Sequence, residues 1–247
     1  MMKGKVNGPA DIAWRIHHKA ETASTNLDAR AGGHGDVFTA DFQTAGRGRL
    51  DHRWLSPPKT NLMMSVVLSV GGLPAEHVVT LPLVIGLAVC DAVREIGLSD
   101  VSLKWPNDVL VDGRKLAGIL CERHGDGVVA GIGVNVAQRE FPPEIAARAT
   151  SLVLLGADVE VGQVREAVLS AIGRRYAQWR EGGFLSVREA IAALDGLKGR
   201  MVSVRQTDGD AEPVRGVCGG INADGTLDVG GRAVCAGEAH VESIGTF

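Results

Sequence analysis

The sequence predicts an α/β fold followed by a small, separate β unit. Strand and helix patterns alternate as far as about Leu194, and only short β runs separated by turn residues follow from Gly199 onward. We place the boundary near Gly196, which divides the chain into residues 1–195 and 196–247. A length of 247 residues suits one large domain with a smaller one. A hydrophobic content of 45% is enough for a buried core.

The elements of the first part follow from apolar spacing and turn residues. Ser24-Thr25-Asn26 stands before a short helical stretch, Leu27 to Ala31, whose exposed amides these side chains can cap. Strands are predicted at Phe38 to Gln43 and Leu62 to Val70, and a long buried helix at Leu73 to Ile96. The later elements are a buried strand over Val128 to Val136, a helix over Gln163 to Trp179 and a short helix that ends at Leu194.

The segment VSLKWPNDVLVDGRKLAGIL, residues 101–120, predicts a β-hairpin that carries charge. Asp112-Gly113 between two apolar runs is a strong hairpin signal, and a two-residue turn makes Leu110 face Lys115. Simple alternation then places six side chains on one face of the sheet. These are Lys104, Asp108, Leu110, Lys115, Ala117 and Ile119. A lysine on a rigid strand suits a carboxylate or an α-phosphate, although either lysine alone could simply extend from an edge strand into solvent.

A second candidate site is QTAGRGRLDHRW, which follows the strand ending at Gln43; we call residues 44–54 the arginine loop. Its informative residues are Gly46, Arg47, Gly48, Arg49, Arg53 and Trp54. Glycines let the backbone approach a polyphosphate, guanidinium groups match phosphate and carboxylate oxygens, and the tryptophan offers a ring on which a purine can stack. The alternative is a solvated basic loop or a short RNA-binding segment.

Composition excludes several classes of protein. Because 26 basic and 29 acidic residues give a net charge of −3, no general positive field attracts nucleic acid or a membrane surface. The four cysteines lack metal-ligand spacing, so we expect buried thiols in a reducing compartment and no metal site in the protein itself. The N-terminus has no apolar signal segment, and Leu81 to Val89 is shorter than the roughly 20 residues of a membrane span. The expected location is cytoplasmic.

Taken together, STN, GRGRLDHRW, KWPNDVLVDGRKLAGIL and GIGVNV, in this order, resemble the biotin protein ligase family. The resemblance spans most of the chain, and the glycine-spaced tail looks like the SH3-like barrel that ends those ligases. It implies a catalytic domain with a mixed sheet backed by helices. It also implies that ATP and Mg²⁺ are used to make biotinyl-5′-AMP, and that biotin is joined to a lysine of a biotin carboxyl carrier protein.

The resemblance also assigns roles to individual residues. It implies that biotin is bound by Ser24, Thr25, Asn26, Gln43, Gly46, Arg47, Lys115, Gly118 and Leu120. It implies that ATP is bound by Arg47, Arg49, Arg53, Trp54, Lys115 and Asn135. The implied catalytic residues are Lys115, Arg49, Asp108 and Lys104. Lys115 would hold the biotin carboxylate and the α-phosphate, Arg49 would organise the adenylate loop, and Asp108 would lie near the incoming lysine.

The sequence departs from the family pattern in two places. Asp51 and His52 stand where family members usually have a glycine and an arginine, and an exposed carboxylate there would weaken the local positive field by up to about 1 kcal/mol. The stretch before Ser24 is too short for the helix-turn-helix module of the repressor-type members, so no DNA binding is expected.

Two other functions remain open at this point. A lipoate or other acyl-lysine ligase shares the fold, but Gln43 and Thr25 favour a polar head group over a dithiolane. A nucleic-acid-binding module would use the GRGR segment and the small barrel, against the net charge of −3. The sequence is compatible with a monomer or a homodimer, and it predicts no membrane association.

Overall fold

The computed structural model describes residues 12–50, 52–206 and 212–242, and it contains two sheets. The strands of the larger sheet are β1 (Arg15–Thr22), β2 (Asp36–Gln43), β3 (Leu62–Ser69), β4 (Val101–Lys104), β5 (Asp108–Val111), β6 (Arg114–His124) and β7 (Gly127–Val134). The helices are α1 (Thr25–Ala29), α2 (Ala75–Val78), α3 (Leu81–Glu95), α4 (Pro143–Ala146), α5 (Val161–Gly182) and α6 (Leu185–Ala192). The strands of the smaller sheet are β8 (Met201–Arg205), β9 (Val214–Ile221), β10 (Leu227–Val229), β11 (Arg232–Val234) and β12 (Glu238–Val241).

The larger sheet is mixed. Its spatial order is β1-β2-β3-β7-β6-β5-β4. β1 pairs with β2 in parallel, and the other neighbouring strands pair antiparallel. The predicted α/β fold with a mixed sheet and helices is therefore confirmed.

The two faces of this sheet have different roles. Met64, Ile132 and Ile119 are aligned across β3, β7 and β6, and all three are buried in the core face. α3 packs against β4 and β6, and α5 packs against α3 and β3. α1 contacts β2, β3 and β7, where Ala29 forms a small apolar cluster with Val67 and Val129. The face that carries α1 is called the site face below.

The predicted helix from Leu73 to Ile96 is interrupted, which corrects the prediction of one continuous helix. α2 ends at Val78 and α3 begins at Leu81. Pro82 is the second residue of α3, where its missing N–H needs no partner, but it cannot donate to Val78 to continue the helix. Ala75–Glu95 contains an 18-residue stretch that is apolar enough for a membrane span, but 67% of that stretch is buried in the protein. Such burial is typical of a core helix.

The Asp112-Gly113 turn is confirmed, with φ angles of 50° and 72°. Positive φ at both central residues is characteristic of a type I′ hairpin turn. The predicted pairing of Leu110 with Lys115 is also present.

Beyond that pair, a β-bulge changes which residues of β6 face the site. Val109 pairs with Ala117, so Leu116 is an extra residue on β6. An extra residue reverses the alternation of faces. Ala117 and Ile119 are therefore buried in the core, and the prediction that they share the face of Lys115 is wrong. Gly118 and Leu120 occupy that face instead.

The C-terminal segment forms a five-stranded antiparallel sheet in the order β11-β10-β9-β8-β12. The predicted small β unit is therefore present, while no pairing among the described strands closes it into a barrel. Trp105 Nε1 donates a hydrogen bond to the Gly225 carbonyl at 3.0 Å, which ties the larger sheet to this segment.

The cysteines differ from one another in exposure. Cys90 and Cys218 are buried, Cys121 is partly buried and Cys235 is exposed, so the prediction of four buried thiols is wrong for Cys235. Burial raises the pKa of the Cys218 thiol to about 11. Burial and the neighbouring Glu122 raise that of Cys121 to about 12.

Candidate active site

The STN segment forms the start of α1. Ser24 is the N-cap residue, and its carbonyl accepts hydrogen bonds from the amides of Leu27 and Asp28, both at 3.1 Å. Thr25 and Asn26 lie within the helix, and the Ser24 side chain makes no capping hydrogen bond, so the predicted capping role is wrong. The side chains of Thr25 and Asn26 are buried against the sheet, where they bond to strand residues.

Thr25 and Asn26 form a polar cluster with Gln43 and Ser65, which we call the polar cluster; Thr25, Asn26 and Ser65 are buried, and Gln43 is partly buried. Gln43 Oε1 accepts from the Thr25 amide at 2.7 Å and lies 3.2 Å from Thr25 Oγ1. Ser65 Oγ lies 2.7 Å from Thr25 Oγ1 and 2.6 Å from Asn26 Oδ1. These three oxygen–oxygen contacts share only two protons, which belong to the hydroxyl groups of Thr25 and Ser65. The amide oxygens at the two ends of this row, on Gln43 and Asn26, can only accept. The polar cluster is therefore short of donors, and it favours a ligand that brings N–H groups.

Glycines on β6 and β7 allow other groups to lie directly on the site face. Gly131 is the register partner of both Ser65 and Leu120. A Cβ atom at Gly131 would overlap Asn26 Oδ1, and one at Gly133 would lie 2.5 Å from Trp54 Cε2. The Asn26 amide and the Trp54 ring can rest on the sheet only because these side chains are absent.

The arginine loop folds back on itself above these glycines. Trp54 N donates to the Gly46 carbonyl at 3.0 Å, and Gly48 N donates to the His52 carbonyl at 2.7 Å. Arg53 Nη2 donates to the Thr44 carbonyl at 3.1 Å. The loop and Leu120 enclose a cleft of about 460 Å³. The cleft is lined by Ala45, Gly46, Arg47, Gly48, Arg49, Leu50, His52, Arg53 and Leu120.

Arg49 connects the arginine loop to both sheets. Its Nη1 donates to Asn107 Oδ1 at 3.3 Å and to the Gly237 carbonyl at 3.1 Å. Burial lowers the pKa of this guanidinium, and the carboxylates of Asp108 and Glu238 oppose that shift. His52 Nε2 lies 3.8 Å from Glu238 Oε2. The other departure from the family pattern, Asp51, lies outside the described residues.

The predicted charged residues of the hairpin do converge on the site face. Lys104 is the register partner of Asp108, which in turn is the partner of Gly118. Lys115 Nζ lies 2.7 Å from Asp108 Oδ1, with side chains 39% and 17% exposed. Lys115 Nζ also lies 6.0 Å from the centroid of a Trp54 ring. An ammonium group, a carboxylate and an indole ring therefore meet where Gly118 leaves the strand surface bare.

Asn135 is buried rather than displayed in the cleft. Its Nδ2 donates to the Thr150 carbonyl at 3.0 Å, and its Oδ1 lies 3.4 Å from Asn61 Nδ2. The contact with adenine stays a prediction, since both ends of this amide already have partners within the protein.

Sequence reasoning did not identify Ser65 or Glu122. Ser65 is the single polar residue inside the apolar run LMMSVVL, which is a signal that could have been used. Glu122 Oε2 accepts from Asn26 Nδ2 at 2.8 Å, and Glu122 Oε1 accepts from Arg47 Nη1 at 3.1 Å. Glu122 lies two residues after Leu120, and strand alternation places both on the site face.

Comparison with known proteins identifies the family to which the chain belongs. The family model of the biotin/lipoate A/B protein ligases matches residues 18–138. A biotin–[acetyl-CoA-carboxylase] ligase of Mycobacterium tuberculosis is 36% identical over 94% of this chain and 90% of its own length. One from Paracoccus denitrificans is 33% identical over 87% of this chain and 93% of its own.

The structure of Aquifex aeolicus biotin protein ligase in complex with biotin and ATP superposes with a TM-score of 0.81 at 33% identity. That match covers 92% of this chain and 98% of the other. The chain belongs to the biotin/lipoate A/B protein ligase family, and within it to the biotin protein ligases.

Proposed function

We propose that this chain is an ATP-dependent ligase that activates biotin as biotinyl-5′-AMP and transfers biotin to a lysine of a biotin carboxyl carrier protein. The observation that carries the proposal is the pairing of Lys115 with Asp108 on the site face that also holds the donor-poor polar cluster. Relatives named as biotin–[acetyl-CoA-carboxylase] ligases support it, as does the related structure that contains biotin and ATP.

The polar cluster supports biotin over lipoate as the acid. Biotin carries a ureido group with two N–H donors and one carbonyl acceptor, whereas the dithiolane of lipoate has no N–H group. The three oxygen–oxygen contacts of the polar cluster share two protons, so one acceptor oxygen has no donor. A ligand N–H group can donate to that oxygen without displacing a donor of the protein. Ser24, Thr25, Asn26 and Gln43 would surround this head group, and Gly46 and Arg47 would cover it.

In the first step, a biotin carboxylate oxygen attacks the α-phosphorus of ATP. The new P–O bond forms as the bond to the bridging oxygen of the β-phosphate breaks, and pyrophosphate leaves. Both reactants are anions, so fixed cations are most valuable as charge spreads over the phosphoryl oxygens. Lys115 would contact the carboxylate and the α-phosphate. Arg47 and Arg49 would neutralise the remaining charge, while Gly118 and Leu120 would line the biotin tail.

In the second step, the carrier lysine attacks the acyl carbon of the mixed anhydride, and AMP leaves as the amide bond forms. With a pKa near 10.4, only about one in 10³ to 10⁴ such amines is neutral at pH 7. Asp108 would orient the amine or accept its proton, with Lys104 beside it on β4. The arginine loop would keep water from the adenylate between the two steps.

ATP would be held by Trp54 and Arg53 together with the cations named above. The family resemblance adds Asn135, whose amide would have to exchange a partner within the protein for the adenine. Among the described residues, no group of three histidine, cysteine or acidic side chains could hold a metal ion. Mg²⁺ would arrive with the ATP phosphates, since in such sites this ion is usually bound by one or two carboxylates together with the substrate phosphates. The ion would reduce the negative charge of the phosphates.

The remaining properties are proposals as well. Residues 1–195 would form the catalytic domain and 196–247 an SH3-like barrel, supported by the separate five-stranded sheet. A cytoplasmic location fits the free cysteines among the described residues. The net charge of −3 argues against DNA or membrane binding. The chain would act as a monomer or a homodimer.

Pyrophosphate release in the presence of MgATP tests the choice of acid. We expect release with biotin, and little with lipoate or octanoate. Release with lipoate but not biotin would replace the substrate while keeping the adenylation chemistry. The absence of release with any of the three acids would contradict the proposed activity.

A further inference from the structure

Glu122 is the one carboxylate among the described residues that contacts both the polar cluster and the arginine loop. It lies near the end of β6 on the site face, with its side chain 21% exposed. Its Oε2 accepts from Asn26 Nδ2 at 2.8 Å, and its Oε1 lies 3.1 Å from Arg47 Nη1 and 3.4 Å from Arg30 Nη2. Oε2 thus contacts α1, and Oε1 contacts the arginine loop and the C-cap residue of α1.

The contact with Asn26 determines which way its amide faces. Glu122 Oε2 and the Leu120 carbonyl are both acceptors, at 2.8 Å and 3.4 Å from Asn26 Nδ2. They can therefore face only the NH₂ end of the amide, and Oδ1 is left to face Ser65. Were the amide reversed, an NH₂ group would enter the polar cluster and supply the missing donor. The carboxylate of Glu122 therefore preserves the shortage of donors that favours an N–H ligand.

The contact with Arg47 fixes the position of its guanidinium group. Arg47 belongs to the cleft, and its side chain is 46% exposed. An exposed pair of this kind contributes little to stability. Its effect is geometric, because it keeps the cation beside the polar cluster rather than free in solvent.

We propose that Glu122 is a positioning residue for biotin binding, which fixes the Asn26 amide with Oδ1 toward Ser65 and holds Arg47 at the edge of the cleft. This inference rests on the proposed function. Glu122 lies four residues along β6 from Gly118, the register partner of Asp108, which is about 13 Å at roughly 3.3 Å per residue. It is therefore too far away to take part in bond making, and its loss acts mainly on biotin affinity. The biotin KM should rise more than the KM for ATP, because Asn26 is proposed to bind biotin alone, whereas Arg47 is proposed to bind both substrates.

Two substitutions separate the contacts. Glu122→Gln retains an acceptor oxygen for Asn26 but turns an NH₂ group toward the guanidinium groups, so it releases Arg47 and Arg30 and keeps the Asn26 contact. Glu122→Ala removes both contacts. The matched control is Arg30→Gln, which removes the other arginine from the same carboxylate without touching the cleft.

The first measurement is biotin affinity by titration calorimetry of the full chain. Because hydrogen bonds to charged groups contribute about 1.5–3 kcal/mol, Glu122→Ala should weaken the biotin Kd by roughly 10- to 100-fold. Glu122→Gln should lose less biotin affinity, and Arg30→Gln should bind biotin with the wild-type Kd. If wild-type protein binds biotin and Glu122→Ala binds it with the same Kd, this inference alone is overturned. Wild-type protein that binds no biotin overturns the proposed function, and this inference with it.

The second measurement needs no ligand. Trypsin cleavage after Arg47 in the native protein should be faster in Glu122→Gln than in wild type or Arg30→Gln, since the guanidinium is no longer held. This isosteric variant also decides the question should Glu122→Ala fail to fold. An unchanged cleavage rate in Glu122→Gln overturns the proposed positioning of Arg47.

Discussion

Lys115 Nζ lies 2.7 Å from Asp108 Oδ1, across the β5–β6 hairpin and beside Gly118. The β-bulge at Leu116 keeps Lys115 on the site face while Leu116 itself turns into the core. The site thus pairs the cation proposed to bind two anionic reactants with the carboxylate proposed to receive the amine. Each of these residues should affect a different step.

Lys115→Met should slow biotin-dependent pyrophosphate release by roughly 10²- to 10³-fold, because a fixed cation is lost where negative charge develops. The control is Arg114→Met, which removes the same charge from the neighbouring residue of β6. It should retain wild-type activity within a few-fold. Equal losses in both variants would mean that total charge, rather than the placement of Lys115, controls adenylation.

Asp108→Asn should slow transfer from preformed biotinyl-5′-AMP by roughly 10²- to 10⁴-fold, the usual range of a general-base contribution. Adenylation should fall much less, since Lys115 remains. Single-turnover transfer to the carrier lysine measures the effect. The control Asp112→Asn makes the same chemical change in the turn, where asparagine tolerates positive φ. A larger loss in adenylation than in transfer would contradict the assigned role.

Gly133→Ala should weaken ATP binding by roughly tenfold, because its Cβ displaces the Trp54 ring proposed to stack on adenine. Gly131→Ala should instead weaken biotin binding, because it displaces Asn26. Gly162→Ala is the control, since open space surrounds that position of α5 and alanine should stabilise a helix by up to about 1 kcal/mol. Equilibrium titration with each ligand should separate the first two variants. Identical losses for both ligands would argue against separate subsites.

The free energy of unfolding should decrease as the pH falls below about 6.5, in part because of His34. Burial, with Arg180 and Arg15 nearby, holds the pKa of His34 below its ordinary value. Its Nδ1 accepts from the Ser69 amide at 3.3 Å, which requires a neutral ring. The unfolded chain then binds more protons than the folded one, so acid favours unfolding. Urea titrations from pH 5.5 to 7.5 should show a smaller pH dependence for His34→Asn, and an equal dependence would remove His34 as a cause.

Local patterns predicted much of the fold because the signals lay within short segments. The Asp112-Gly113 turn, the apolar stripe of α5 and the glycines of β7 all have local causes. The bulge at Leu116, by contrast, has no local cause in the sequence. Lys115 N donates to the Arg148 carbonyl at 2.7 Å, and its own carbonyl accepts from Thr150 N at 2.9 Å. Because Lys115 pairs with a distant segment, its strand departs from simple alternation.

For the candidate site too, contacts within a short segment were predicted, and contacts between distant segments were missed. Lys104, Asp108 and Lys115 shared a face through local register alone. Glu122 was missed because its partners, Asn26 and Arg47, are far away in the sequence. No local pattern indicates that a carboxylate near a strand end will contact a helix and a loop.

The most direct test of the central claim is mass spectrometry of a biotin carboxyl carrier domain after incubation with the purified chain, MgATP and biotin. We expect the mass of one biotinyl group to be added to a single lysine, with a requirement for ATP, and we expect Lys115→Met to abolish nearly all of the product. A carrier that remains unmodified while wild-type protein binds both biotin and ATP would contradict the account.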